Sequence, residues 1–136
     1  MGPVIAHGKH ISSISEQVIQ SQLIGAFNSE GCRIWVDSIK TLIASLDGRP
    51  FCFLVDTRSY EGGTDEALST ANDFNGWLNG QKMVAKAHVI RSQVLHDIAI
   101  ERVPNIKQQN VRTFKNQEDA MTWLMEELRL SAVDQA

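Results

Sequence analysis

The stretch FCFLVDTRSYEGGT, residues 51–64, decides the fold. Its first five residues, Phe51 to Val55, are continuously apolar. A run of that kind suits a strand covered on both faces, as in a parallel sheet under helices. Asp56 ends the run. Thr57 to Gly63 reads as a loop carrying Gly62-Gly63, and Thr64 reads as the cap of a following helix. Asp65 and Glu66 suit the positive end of that helix. Strand, glycine turn and helix thus stand at the centre of one small α/β domain.

Upstream, Val4–Ala6 is apolar, Ile11 and Ile14 alternate with serines, and Val18–Phe27 carries Ile19, Leu23 and Phe27 on one parity. These segments read as strands, with a turn at Ser15–Gln17. Asn28 and Ser29 are cap residues for a helix whose Trp35, Ile39, Leu42, Ile43 and Leu46 fall at helical spacing. Gly31 weakens its first turn. Asp47-Gly48-Arg49-Pro50 stops it.

Downstream, Ala67, Ala71, Phe74 and Leu78 mark one face of a helix closed by Asn79-Gly80. Met83–Ile90 reads as a second core strand. Ser92 caps a short helix with Leu95, Ile98 and Ala99 pointing inward, and Pro104-Asn105 interrupts it. Val111–Phe114 is a brief strand. Asn116 caps a last helix with Ala120, Trp123, Leu124 and Leu128 on its buried stripe, and residues 131–136 read as a frayed tail. Strands first and helix–strand alternation afterwards argue an α/β fold with a mixed sheet and helices packed on it. No repeat or linker divides the chain, so residues 1–136 read as a single domain.

Composition narrows the function classes. The 136 residues are 43% hydrophobic and 21% charged, which is ordinary for a globular domain. The net charge of −3 gives no basic footprint for nucleic acid. No apolar run approaches the roughly 20 residues of a membrane span, and no signal peptide pattern is present. Cys32 and Cys52 sit apart among apolar neighbours and read as buried reduced thiols, which suits a cytoplasmic location.

No nucleophile elbow, phosphate loop, dinucleotide fingerprint or zinc-protease helix occurs, so the expectation is a protein without catalytic residues, metal or cofactor. His7 and His10 read as two exposed histidines. Trp35, Phe74, Met121, Trp123 and Met125 read as packing. Lys86 and His88 alternate along one strand and share a face. On an open pocket they would bind an anion or move a proton. The favoured expectation is a solvated sheet margin, with the Lys86 stem stretched over apolar neighbours. The preferred site is the carboxyl end of the central strand, where ligands gather in parallel α/β sheets. It offers Asp56, Arg58, Ser59, Tyr60, Glu61, Gly62, Gly63 and Thr64.

The runs FCFLVDTRSYEGGTDEAL, MVAKAHVI and VRTFKNQEDAMTWL together resemble the SpoIIAA-like group of the STAS superfamily. Asp56, Gly62, Phe114, Glu118, Ala120, Trp123 and Leu124 hold the places of its strand-ending acid, glycine turn and final helix. The resemblance spans about Val4 to Leu130. It implies a mixed sheet with helices on one side, and a non-enzymatic regulatory or partner-binding role. The phosphorylated serine of the family's antagonists has no Ser-Ser-Gly counterpart here. Thr64 takes that place, and Asp65 and Glu66 would repel a phosphate on it. The expected partner is a protein or a small anionic or apolar ligand at Asp56–Thr64. The alternative is a carrier of a lipid or other small apolar ligand, held between Trp35, Phe74 and Trp123. A homo-oligomer through a sheet edge is compatible with the pattern but not specified by it.

Overall fold

A computed structural model describes residues 5–134. Five strands form one sheet in sequence order: β1 (Lys9–Ser15), β2 (Val18–Phe27), β3 (Phe51–Gly63), β4 (Met83–Val89) and β5 (Val111–Phe114). β1 and β2 pair antiparallel across a turn in which Glu16 has φ 57°, as the serine-rich alternation predicts. β2, β3, β4 and β5 run parallel. Each parallel step needs a crossover, supplied by α1 (Ser29–Ala44), α2 (Asp65–Leu78), and α3 (Gln93–Glu101) with a 3-10 turn at Pro104–Gln108. Crossovers of one hand that advance in one direction fall on one face of the sheet. The last helix, α4 (Gln117–Asp134), follows β5 and covers the other face.

The helices start where the caps predict. The side chains of Asn28, Thr64 and Ser92 accept from the backbone N–H of Gly31, Ala67 and Leu95, and Asn116 accepts from Asp119 N at 2.8 Å. Gly31 is required rather than tolerated, because a Cβ there would run into the backbone carbonyl of His7.

Alternation in β3 splits the core. Phe51, Phe53 and Val55 face α1 and α2 with Ile19, Trp35, Ile39, Phe74 and Leu78. Cys52 and Leu54 face α4 with Val18, Ala85, Ala87, Ala120 and Leu124. All five residues of the Phe51–Val55 run are buried, each contributing on the order of 2 kcal/mol by leaving water. Both cysteines are free and buried, and burial first of all pushes each thiol up to about 11.

Six expectations need correction. Thr57–Gly63 is not a loop. β3 continues through it, because its backbone pairs with the far half of β2 across two register shifts, one between Gln22 and Ile24 and one between Gly25 and Phe27, and Gly25 and Gly62 at the second both take positive φ. Helices cover both faces of the sheet rather than one, as the continuous apolar run itself required. Trp123 lies on the α4 face, across the sheet from Trp35 and Phe74, so those three residues enclose no common cavity. α3 does not seat: it buries no residue, and Leu95 and Ile98 are exposed. Helix α4 extends through Ser131 to Asp134, so the tail is helical that far. Ile5 and Ala6 are exposed and outside any strand, while Val4 lies outside the described residues.

Candidate functional site

Because α3 stands off the sheet, a cavity of about 620 Å³ opens between it, α2 and the carboxyl halves of β3 and β4. Its walls are mainly apolar and include Leu23, Trp35, Val55, Leu68, Ala71 and Ile98. Apolar enclosure with a few convergent polar groups is the usual form of a small-molecule site.

The polar groups come from β4. Lys86 pairs in register with Phe53 and Val111, and His88 with Val55 and Thr113. Both side chains therefore share the α2 face of a central strand. The expected solvated margin is wrong: Lys86 is 1% exposed and His88 5%. The reason is β5, which makes β4 an interior strand, and α2, which closes over it.

Lys86 Nζ donates to Asn75 Oδ1 at 2.7 Å. The same oxygen accepts from Gln109 Nε2 at 3.0 Å, and Asn75 Nδ2 donates to Ala71 O at 2.8 Å. Among the described residues no carboxylate forms an ion pair with Lys86. Its Nζ lies 5.6 Å from the centre of the Phe53 ring. Burial without a counter-charge lowers the Lys86 pKa to about 7. His88 and His96 meet edge to face with ring centres 4.9 Å apart. Burial first, then Lys86 and His96, hold His88 well below its ordinary pKa. Burial also lowers His96. Both rings are therefore neutral near pH 7. Among the described residues His88 Nε2 and Gln109 Oε1 are buried without a hydrogen-bond partner, a state that costs about 1–3 kcal/mol per group.

The residues expected at the Asp56–Thr64 segment divide between two environments. Tyr60, Glu61, Gly62 and Gly63 line the cavity, together with Thr57. Burial, then the nearby Cys32, raises the Tyr60 hydroxyl. Asp56, Arg58, Ser59 and Thr64 do not line it. Asp56 is closed into a fork with Arg58, whose Nε and Nη2 donate to its two oxygens at 3.0 and 2.8 Å. Burial pushes the Asp56 carboxyl up, and the Arg58 side chain and backbone N–H pull it down by more. Thr64 is occupied as the α2 cap.

Sequence reasoning assigned nothing to Asn75, His96 or Gln109. Asn75 had a signal, since it lies four residues after Ala71 and three before Leu78, inside the apolar stripe of α2. Gln109 had none, because its position depends on the turn before β5. Among the described residues no group of three His, Cys, Asp or Glu side chains is arranged to hold a metal, and no helix is long and apolar enough to cross a membrane.

No protein-family model and no curated protein sequence matches the chain. Solved structures do. An uncharacterized protein of the DUF3478 family with a SpoIIAA-like fold, from Shewanella loihica PV-4, superposes with a TM-score of 0.65 at 15% identity, over 91% of this chain and 98% of its own. An anti-sigma factor antagonist from Mycobacterium paratuberculosis superposes with a TM-score of 0.62 at 14% identity, over 88% and 95%. The chain therefore has a SpoIIAA-like α/β fold, the fold that the three sequence runs imply.

Proposed function

We propose that the protein is a non-enzymatic, STAS-like binding module whose ligand site is the cavity beneath α3. The observation that carries this reading is the combination of an apolar cavity of about 620 Å³ with a buried, uncompensated lysine in its wall. Part of the expected Asp56–Thr64 site belongs to it through Tyr60, Gly62 and Gly63. A binding role rather than catalysis is favoured by the hydrogen bonding. Lys86 engages an amide, and among the described residues no nucleophile in the cavity is bonded to a base. The regulatory character, with a protein partner, rests on the fold shared with an anti-sigma factor antagonist. The alternative, carriage of a small apolar ligand, would use the same cavity, which Trp35 lines.

Titration with a neutral naphthylamine dye tests the site. Wild-type protein is expected to bind it saturably. Leu68→Trp, which fills the cavity from α2, is expected to weaken binding at least tenfold. Equal binding by both proteins would place the dye elsewhere and remove the cavity as the site.

A further inference from the structure

We propose that the cavity selects ligands bearing a single carboxylate on an apolar body, with the carboxylate paired to Lys86 and the body lying under α3. This rests on the cavity being the binding site and names the class of ligand it takes.

The charge inventory is one-sided. Lys86, Arg91 and Arg102 line the cavity against one acid, Glu61, with His88 and His96 as neutral rings, in a chain whose net charge is −3. Arg102 is already paired with Asp65 on the exposed rim. Lys86 is different, because it is buried and its ammonium has three donors against one acceptor, Asn75 Oδ1. A buried cation without a counter-ion is costly, and an incoming carboxylate supplies the missing charge.

The neighbouring group supports the same geometry. His88 stands two residues along the same strand face, and its Nε2 has no partner. In the tautomer that carries a proton there, the neutral ring donates to the second carboxylate oxygen. One buried cation and neutral imidazoles match a monoanion. A phosphate dianion would lack a second buried positive charge. The rest of the wall, with Val55, Leu68, Ala71 and Ile98, asks for hydrocarbon or an aromatic ring.

Binding is linked to protonation. The groups around Lys86 are His88 on its own strand, Phe53 on β3, Asn75 on α2, Gln109 before β5 and His96 on α3, with Glu61, Arg91 and Arg102 elsewhere in the cavity wall. The two histidines are held neutral, so Lys86 is the group that takes up a proton when a carboxylate arrives above about pH 7.

Calorimetric titration of the full chain with decanoate, decanol and decyl phosphate, at about pH 6.5 and about pH 8.5, tests this. Wild-type protein is expected to prefer decanoate over decanol by at least tenfold at the lower pH. Decanoate affinity is expected to fall by roughly twenty-fold at the higher pH, with decanol unchanged. Lys86→Met is expected to keep decanol binding and lose both the preference and the pH dependence. Equal binding of decanoate and decanol by wild type would overturn the inference while leaving the cavity as the site. Tighter binding of decyl phosphate would replace the ligand class. If none of the three binds and the naphthylamine dye also fails, the cavity reading falls with the inference.

Discussion

Replacing Lys86 by Met exchanges a buried amine for an apolar chain of similar length. Asn75 Oδ1 keeps the bond from Gln109, so the exchange leaves no new orphaned acceptor. The folded pKa of Lys86 is about 7, against 10.5 for an ordinary lysine. Between those values the unfolded chain binds a proton that the folded chain has shed. Stability therefore rises with pH through that window and rests at its lower level below it. At about pH 7 the burden on the wild type is on the order of 4 kcal/mol. Raising the pH to about 8.5 relieves about 2 kcal/mol of it. Cys32 and Cys52 contribute in the opposite direction at higher pH, because burial raises their folded pKa values. Subtracting the Lys86→Met curve removes that contribution. Urea denaturation at several pH values is the assay. Lys86→Met is expected to be the more stable protein at about pH 6.5, with its advantage shrinking by about 2 kcal/mol between about pH 7 and about pH 8.5. Parallel curves for the two proteins would refute the account of Lys86 as a buried, unpaired amine.

Two further substitutions separate fold from site. Arg58→Ala opens the Asp56 fork, which is partly exposed, so a loss of about 1 kcal/mol or less is expected. Because Asp56 has a lowered folded pKa, that loss should vanish as pH falls through it, and dye binding should stay unchanged. Leu124→Ala, at a fully buried position on the α4 face, is expected to cost about 3 kcal/mol in chemical denaturation, again without changing dye affinity.

Much of the frame was legible from local chemistry. Asn28, Thr64, Ser92 and Asn116 announced four helix starts because a capping side chain acts on the backbone two or three residues ahead. Phe51–Val55 announced a strand covered on both faces because neither parity is polar. Thr57–Gly63 misled because its polar residues and glycines carry turn chemistry, while its strand pairing comes from β2, some thirty residues earlier. The site was half legible. Alternation placed Lys86 and His88 on one face, and the alanines flanking Lys86 belong to an otherwise apolar run, a signal of an interior strand. What covers that face depends on β5 and α2, whose placement is tertiary. The cavity was illegible for the same reason: Leu95 and Ile98 have helical spacing that reads as inward, and only the stand-off of α3 exposes them.

The central claim is that ligand enters the space between α3, Tyr60 and Lys86. Two-dimensional amide NMR during titration with decanoate tests it most directly. The account predicts shifts concentrated in α3, at Tyr60–Gly63 and around Lys86–His88, with α4 unmoved. Shifts confined to α4 and its face of the sheet, or none at saturating decanoate, would contradict it.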